Sequence, residues 1–256
     1  MDLFDLTGKT ALITGSTKGI GKAIAEHFAA RGANVVISSR GAELCDEVAA
    51  EINAKGGGKA VAIPANIGHD DQLDNLVTET QKQLGPIDIL VCNAAVNPYM
   101  GPFLDTPDDA FDRTIRINIR ANMRLCKHVV PGMQKKKDGA IVIISSIAAF
   151  KGSKMLGIYA VTKAADTQIV RNLAAAYGED NIRVNGIAPA VVKTNFAKAL
   201  WEDEERAKKS AASYALKRLG EPDDIAGAAL FFASRAGAWT TGQTLIIDGG
   251  WSITEN

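Results

Sequence analysis

Short apolar runs alternate along this chain with longer stretches whose apolar residues recur at helical spacing. Runs of four to six apolar residues are typical of parallel strands buried on both faces. The strands predicted in this way are residues 10–14, 34–38, 59–63, 87–91, 140–145, 182–187 and 244–247. The first helix predicted between them ends near residue 30, and the others cover residues 43–54, 70–84, 107–133, 156–177 and 222–233.

This alternation of strands and helices is typical of right-handed crossovers and of a parallel sheet with helices on both faces. The sequence therefore predicts an α/β fold, a Rossmann-type doubly wound sheet of seven parallel strands. No linker, low-complexity tract or internal repeat divides the sequence, so we expect one domain over residues 1–256.

Residues 191–220 do not follow the alternation. They carry apolar residues at Phe196, Leu200 and Trp201 and a charged run over residues 202–206. This pattern predicts a small amphipathic helical insertion over the carboxyl edge of the sheet, in the position of a lid.

Charge and composition exclude several classes of protein. The 29 basic and 29 acidic residues balance, which argues against a nucleic-acid-binding protein. No segment reaches the length of apolar residues that spans a bilayer, and the first ten residues do not resemble a signal peptide. Three scattered cysteines fit a reducing cytoplasm, and no histidine or cysteine spacing indicates a metal site. These residues are Cys45, Cys92, Cys126, His27, His69 and His128.

Three polar residues indicate proton chemistry. Tyr159 and Lys163 are four residues apart and share one face of a predicted helix, and Ser146 follows the strand before it. Ligands of open α/β sheets bind at the carboxyl edge of the strands, where Ser146 should lie. A free phenol is a poor acid or base at neutral pH, but a nearby ammonium favours its ionised form. The alternative is that Tyr159 and Lys163 are ordinary surface residues.

A glycine pattern follows the first predicted strand. Gly15, Gly19 and Gly21 lie between that strand and the next helix, where glycines let the backbone approach a pyrophosphate. The helix N-terminus adds free N–H groups and the positive end of its dipole. The alternative is a tight turn without a ligand, but the position after the first strand favours nucleotide binding.

Taken together, these motifs resemble the short-chain dehydrogenase/reductase family. The resemblance extends from about Leu6 to Gly250, and it is closest to the branch of NADP-dependent retinol dehydrogenases and carbonyl reductases. The residues that carry it are Thr14, Gly15, Gly19, Ile20, Gly21, Asn93, Ala94, Ala95, Asn118, Ser146, Tyr159 and Lys163. The segments that indicate the branch are residues 93–98, 145–150 and 218–222.

The resemblance implies a role for each residue. Tyr159 would be the acid/base, Ser146 would orient the substrate oxygen, and Lys163 would hold the nicotinamide ribose and acidify the phenol. Asn118 would anchor a water in a proton relay; without the family we would expect it to face solvent. The resemblance also assigns cofactor binding to Tyr159 and Lys163 and to Thr14, Gly15, Ser16, Lys18, Gly19, Ile20, Gly21, Ser39, Arg40, Asn66, Ile67, Asn93, Ala94, Ala95, Pro189, Val192 and Thr194.

Three positions depart from the family pattern. Ala95 and Ala190 stand where the family usually has glycine, and Asn66 stands where it usually has aspartate. If Ala190 needed a positive φ, the alanine would cost about 1 kcal/mol. Asn66 can still bond to an adenine edge.

The end of the second predicted strand indicates the dinucleotide. A carboxylate there would bind the ribose of NAD and repel the 2′-phosphate of NADP. The sequence instead reads Ser38, Ser39, Arg40, and Lys18 adds a cation in the glycine loop. An arginine pairs well with phosphate, so we expect NADP rather than NAD. The alternative is that both cations are surface charges.

The substrate is less well specified. The apolar residues expected near the site predict an uncharged apolar or aromatic ketone, aldehyde or alcohol. The predicted substrate-binding residues are Ser146, Tyr159, Val96, Ala148, Met155, Phe196 and Trp201, with Tyr99, Ile158 and Leu200 as further candidates. The sequence thus predicts an NADP(H)-dependent carbonyl reductase or alcohol dehydrogenase.

The open alternatives are an NAD(H)-dependent secondary-alcohol dehydrogenase, a dinucleotide-binding sensor or scaffold without turnover, and an epimerase or dehydratase of the same fold. The resemblance also implies a cytoplasmic homotetramer. It would pair through residues 107–133, 156–177 and the last strand. The chain ends without the Ser-x-Leu type signal of the branch's peroxisomal members.

Overall fold

The computed structural model describes residues 2–254, and the expectations about the two ends that involve Met1, Glu255 and Asn256 lie outside the described residues. A parallel sheet of seven strands forms its centre, in the order β3-β2-β1-β4-β5-β6-β7. The strands are β1 (Thr10–Thr14), β2 (Asn34–Ser38), β3 (Ala60–Ala62), β4 (Ile89–Cys92), β5 (Gly139–Ile144), β6 (Ile182–Pro189) and β7 (Thr244–Ile247). The predicted Rossmann-type fold and its seven parallel strands are therefore confirmed.

The α-helices are α1 (Gly19–Ala30), α2 (Ala42–Lys55), α3 (Asp70–Leu84), α4 (Asp108–Ile115), α5 (Ala121–Lys136), α6 (Gly157–Tyr177), α7 (Lys198–Trp201), α8 (Glu204–Ala212) and α9 (Pro222–Ala233). Helices cover both faces of the sheet, and the strands from β1 to β6 are therefore buried along nearly their whole length. One core packs α1, α2 and α9 against the sheet, and the other packs α3, α5 and α6 against the opposite face.

The long helix predicted over residues 107–133 is interrupted at its centre. The segment Arg116–Arg120 is a π-helical turn that joins α4 to α5 without a break in the helical backbone. Wider turns of this kind are frequent at functional sites, because they let one side chain leave the regular helical register. Asn118, a predicted site residue, lies in the middle of this turn.

The predicted insertion is helical, but it consists of a 3₁₀ turn (Asn195–Ala197) and the two short helices α7 and α8. None of their residues is buried, and Phe196 and Leu200 remain exposed. The expected apolar face therefore faces solvent above the sheet edge and does not pack into the core.

Candidate active site

The end of β5 and the start of α6 are tied together by two hydrogen bonds. Ser145 Oγ donates to the carbonyl oxygen of Lys163 at 2.8 Å, and Lys163 Nζ donates to the carbonyl oxygen of Ile144 at 2.8 Å. Ser146 follows directly, and its hydroxyl accepts a hydrogen bond from the backbone of Ala148 at 3.1 Å. Ser146 and Lys163 are therefore brought to the same carboxyl edge of the sheet.

Tyr159 lies in the first turn of α6 and is buried. The centroid of its ring is 6.0 Å from that of Phe196 and 5.6 Å from Lys163 Nζ. The turn after Ser146 (Ile147–Ala149) packs against α6. The three residues predicted to carry the chemistry are thus gathered at one place, and a ring of the insertion adjoins the phenol.

Asn118 connects this site to two neighbouring segments. Its Oδ1 accepts from the backbone N–H of Val96 at 2.9 Å, and its Nδ2 donates to the carbonyl oxygen of Val96 and to Thr162 Oγ1, both at 3.0 Å. The side chain is fully buried. Asn118 therefore does not face solvent, and its amide anchors the loop after β4 to α6.

Sequence reasoning missed Asp166, which lies one helical turn after Lys163. Asp166 is fully buried, and its Oδ2 accepts from Lys163 Nζ at 3.1 Å. Burial raises the pKa of the Asp166 carboxyl, and the ammonium opposes that shift. Burial by itself lowers the pKa of Lys163, but Asp166 and Tyr159 reverse the shift, and that pKa lies above its ordinary value. An acidic residue on the buried face of an alanine-rich helix was the available sequence signal.

The glycine loop after β1 is closely packed against the end of β4. Asn93 Nδ2 donates to the carbonyl oxygens of Thr14 at 2.8 Å and Gly15 at 3.2 Å. A Cβ at Gly21 would lie 2.4 Å from the oxygen of Gly15, and Gly19 has a φ of +56°. These two glycines are required by the close approach and by the left-handed backbone. Thr14 Oγ1 accepts from the backbone of Asn93 and Ala94.

The N-terminus of α1 is open to an anionic group. It has no side-chain cap and no acidic residue in its first turn, and Lys18 before it is exposed. The first N–H groups of a helix lack partners within the helix and favour an anion. Ile20, in the same turn, packs against the core with part of its side chain. These residues fit the phosphates of a dinucleotide.

The loops after β1 and β2 lie side by side. The backbone of Ser16 donates to the carbonyl oxygen of Ser38 at 3.1 Å, and Ser16 Oγ accepts from the backbone of Ser38 at 2.8 Å. Lys18 and Arg40 each follow this pair by two residues, and both are exposed. Within residues 2–254 neither cation has an ion-pair partner. The Ser16 hydroxyl is buried in this contact, so its side chain holds the two strands together.

Ser39 Oγ lies 3.4 Å from Cys45 Sγ, at the start of α2. Asn66 Oδ1 accepts from the backbone of Gly68 at 3.1 Å, which leaves its amide nitrogen available. Ile67 is buried in the core beside α3. Ala94 and Ala95 are half-buried in the loop after β4.

The segment after β6 reaches back to the glycine loop. A Cβ at Gly19 would lie 2.9 Å from Thr194 Cγ2, and Thr194 Oγ1 accepts from the backbone of Ala197. Pro189 ends β6, and Val192 is buried and pairs with Gly220. Ala190 donates its N–H to Ile247 and is not among the described residues with positive φ. Ala190 therefore does not carry the backbone strain that a positive φ would cause.

The predicted substrate-binding residues outside the core of the site lie on three segments, the loops after β4 and β5 and the insertion after β6. Val96 and Ala148 are half-buried, whereas Met155 and Phe196 are exposed. Trp201 Nε1 donates to the carbonyl oxygen of Thr194 at 2.9 Å, which holds α7 onto the segment after β6. The loops after β4 and β5 are joined by a hydrogen bond from Gly101 to Met155 at 2.9 Å. Tyr99 lies in the loop after β4, Leu200 lies in α7, and Ile158 is buried in α6.

Membrane-spanning helices and metal-binding clusters are both absent from the described residues. Across residues 2–254 no helix combines the length and apolarity needed to cross a membrane. The same residues hold no cluster of three histidine, cysteine, aspartate or glutamate side chains that could bind a metal ion. Cys45, Cys92 and Cys126 are all buried and free of disulfides.

Comparison with known sequences gives one family. A family model described as Enoyl-(Acyl carrier protein) reductase matches residues 15–252. Dehydrogenase/reductase SDR family member 4 of Bos taurus is 40% identical over 246 residues, which is 96% of this chain and 88% of that protein. The protein of the same name from Caenorhabditis elegans is 40% identical over 246 residues, covering 95% of each.

Solved structures of dehydrogenases are similar to this chain over nearly its whole length. A 7α-hydroxysteroid dehydrogenase in complex with NADH and 7-oxo glycochenodeoxycholic acid is 40% identical, with a TM-score of 0.91 over 97% of this chain and 96% of that one. A gluconate 5-dehydrogenase from Burkholderia cenocepacia in complex with NADP and tartrate is 30% identical, with a TM-score of 0.92 over 99% of both chains.

Proposed function

Since this chain belongs to the short-chain dehydrogenase/reductase family, and is accordingly an oxidoreductase that uses a nicotinamide dinucleotide, we propose that it interconverts an apolar or aromatic ketone or aldehyde and the corresponding alcohol, with NADP(H). The observation that carries this proposal is the convergence of Ser146, Tyr159 and Lys163 at one end of the sheet. The narrower branch of retinol dehydrogenases and carbonyl reductases is part of the proposal and rests on the sequence motifs alone.

Tyr159 is the proposed acid/base. In the reduction its phenol gives a proton to the carbonyl oxygen, and in the oxidation the phenolate takes the proton from the alcohol. Ser146 donates a hydrogen bond to the same substrate oxygen and fixes its direction. Lys163 supplies positive charge beside the phenol, which favours the ionised form in the oxidation. Asn118 holds the loop after β4 against α6 and anchors the proposed proton relay.

The dinucleotide would lie along the carboxyl edge from the glycine loop to the segment after β6. Gly15, Gly19 and Gly21 would accommodate its phosphates, Asn66 its adenine, and Lys163 a ribose hydroxyl. When bound, the nicotinamide supplies or accepts the hydride. The other residues proposed to line this edge are Thr14, Ser16, Ile20, Ile67, Asn93, Ala94, Ala95, Pro189, Val192 and Thr194.

The preference for NADP over NAD rests on charge. Arg40 and Lys18 are exposed next to two contacting loops, and β2 ends without a carboxylate. A 2′-phosphate would meet two exposed cations there, with Ser39 as a further hydrogen-bond donor. The second candidate is an NAD(H)-dependent secondary-alcohol dehydrogenase, since one 40% identical structure is a complex with NADH.

The proposed substrate is apolar because the surroundings of Tyr159 are apolar. Phe196 adjoins the phenol. The other apolar residues proposed to line the pocket are Val96 in the loop after β4, Ala148 and Met155 between β5 and α6, and Trp201 in α7. The same 40% identical dehydrogenase is complexed with a steroid ketone, which fits an apolar substrate class.

We further propose that the protein is a homotetramer, since apolar side chains are exposed on α5, α6 and β7. The proposed cytoplasmic location rests on the sequence and the family resemblance alone.

A panel of ketones, aldehydes and secondary alcohols, each with NADPH/NADP and NADH/NAD, tests this proposal. We expect turnover of apolar or aromatic compounds, with faster reaction of NADP(H). Cofactor binding without turnover of any compound would instead support a sensor or scaffold. Conversion of a substrate without net release of oxidised or reduced cofactor would support an epimerase or dehydratase.

A further inference from the structure

Asp166 is a buried carboxylate that the proposed mechanism does not use. One of its oxygens accepts from Lys163 Nζ, and the other, Oδ1, is buried without a hydrogen-bond partner in residues 2–254. A buried ion pair is often no more stabilising than apolar residues of the same volume, and an unpartnered polar atom costs further free energy. Stability alone therefore does not explain an aspartate at this position.

The partners of Lys163 show what the carboxylate does. The ammonium has three N–H groups, of which one donates to Ile144 and one to Asp166. Ile144 ends β5, two residues before Ser146, whereas Asp166 lies one helical turn further along α6. The two acceptors fix the nitrogen between the strand end and the helix, and they leave one N–H for the substrate side of the site.

The titratable groups that face this ammonium come from three elements. Asp166 and Tyr159 lie on α6 with Lys163, and the Cys92 thiol faces the pair from the end of β4. Cys126 of α5 is hydrogen-bonded to Cys92, and that bond and burial raise the pKa of the Cys92 thiol. The Cys92 thiol therefore stays neutral, and Asp166 is the only carboxylate of residues 2–254 in direct contact with Lys163.

On the basis of the proposed function, we propose that Asp166 is a positioning residue of the active site: its buried carboxylate orients Lys163 and keeps the ammonium charged beside Tyr159. A lysine buried this deeply would otherwise tend to lose its proton to solvent. The carboxylate also offsets part of the positive charge that Tyr159 experiences. Asp166 thereby affects how readily the Tyr159–Lys163 unit releases its first proton.

The direction of this effect does not depend on which group releases the proton. A carboxylate opposes the loss of positive charge from Lys163 and the gain of negative charge on Tyr159 alike. Replacing it with a neutral side chain should therefore move the first ionisation of the unit to lower pH. The change should be greatest at Lys163, since only its nitrogen contacts Asp166 directly.

Asp166→Asn keeps the shape of the side chain and removes its charge, and Asp166→Leu fills the same space without polar atoms. The matched control is Asp88→Asn. Asp88 is also buried and paired with a lysine, Lys136, but it lies before β4 at the opposite end of the sheet. Circular dichroism and thermal unfolding establish whether each variant folds. If Asp166→Asn does not fold, the test is made with Asp166→Leu.

The first readout does not need activity. In protein labelled with ¹³C at the lysine Cε, the Lys163 resonance is assigned by its absence in Lys163→Met and is titrated with pH. We expect it to titrate at least one pH unit lower in Asp166→Asn and Asp166→Leu than in the unmodified protein, and to be unchanged in Asp88→Asn. Titration at the same pH in the Asp166 variants would overturn the proposal.

The second readout is the pH profile of kcat/KM for alcohol oxidation. We expect the midpoint of its rising limb to move to lower pH in both Asp166 variants, kcat at neutral pH to fall at least tenfold, and KM to change less than threefold. Unchanged kcat and midpoint would overturn the role of Asp166, even if the lysine resonance moved. An unmodified protein without turnover would instead overturn the proposed function, and the inference that rests on it.

Discussion

Tyr159 and Lys163 lie one turn apart on α6, with the Lys163 nitrogen 5.6 Å from the centroid of the Tyr159 ring. This separation puts a buried cation beside a buried phenol while Lys163 stays bonded to the end of β5. The pair therefore has one fixed geometry, and the acid/base role of Tyr159 can be tested separately from the fold.

Tyr159→Phe should lower kcat by at least about 10²-fold, the usual scale for the loss of a positioned acid or base. Fold and NADPH binding should persist, because no hydrogen bond of the phenol within residues 2–254 holds α6 in place. Steady-state kinetics and fluorescence titration with NADPH measure both effects. Tyr177→Phe, at the far end of the same helix, is the control. Near-normal turnover by Tyr159→Phe would rule out the assignment.

Asn118→Ala should reduce both stability and kcat. The substitution removes the hydrogen bonds to both backbone groups of Val96 and to Thr162, and buried groups left unpaired cost about 1–3 kcal/mol. Urea unfolding and steady-state kinetics give the two quantities.

The control for this variant is Asn185→Ala. The Asn185 amide also bridges a backbone C=O and an N–H, those of Thr240 and Gln243, but on the strand β6. We expect it to lose comparable stability while kcat stays within about twofold. An equal loss of kcat in both variants would mean that Asn118 acts only through stability.

The preference for NADPH over NADH should depend on Arg40 and Lys18. Charge-assisted hydrogen bonds contribute roughly 1.5–3 kcal/mol each, and exposure reduces this, so kcat/KM should favour NADPH over NADH by about tenfold to a hundredfold. Ser39→Asp combined with Arg40→Ala should reverse the order by adding repulsion as well as removing attraction. Lys18→Ala should weaken the binding of NADPH and have little effect on the binding of NADH.

Lys22→Ala is the matched control for these cofactor variants, since Lys22 also lies at the start of α1 but is paired with Glu51. It should leave both cofactors nearly unaffected. A preference of the unmodified protein for NADH would show that Arg40 does not meet the ribose phosphate.

The N-terminus of α9 should lose stability at low pH. Arg218 pairs with Asp224 through two hydrogen bonds of 2.6 and 2.8 Å, and the guanidinium lowers the pKa of that carboxyl from 3.8 to about 2. The folded pKa is below the unfolded one. The stabilisation is therefore complete above pH 3.8 and disappears as the pH falls through about 2.

Arg218→Ala should accordingly lower the free energy of unfolding at pH 7, by an amount that the exposure of the pair keeps small. The difference from the unmodified protein should vanish near pH 2. Urea titrations between these pH values measure it. Lys208→Ala, whose partners Glu204 and Glu205 are largely exposed, should change stability far less. A difference that persists at low pH would exclude the ion pair as its cause.

Assembly as a homotetramer predicts that exposed apolar side chains lie in interfaces. Val161 on α6 is 47% exposed and Leu245 on β7 is 44% exposed, and both lie in the segments expected to pair. Light scattering at micromolar concentration should give a tetramer for the unmodified protein. Val161→Glu or Leu245→Glu should reduce it to dimers, whereas Leu3→Glu should not. A monomer at these concentrations would contradict the proposed assembly.

The sequence by itself determined the architecture and the identity of the central residues. Strand and helix periodicities are local, so six of the seven predicted strands end within about one residue of the observed ones, and β6 extends two residues further, to Pro189. The spacing of Tyr159 and Lys163 needs only one helix, and the glycine pattern needs only one turn between a strand and a helix. These features depend on neighbours along the chain.

The tertiary structure decided what depends on residues far apart in the sequence. Asn118 is fully buried because a π-helical turn directs it toward the Val96 loop and Thr162, and no local pattern indicates such a turn. The Ser16 hydroxyl belongs to a contact between β1 and β2. The contact of Asp166 with Lys163 forms only when α6 packs on the sheet and buries both side chains. Burial and partners across the fold set the electrostatics of the site, and these are properties of the packed chain.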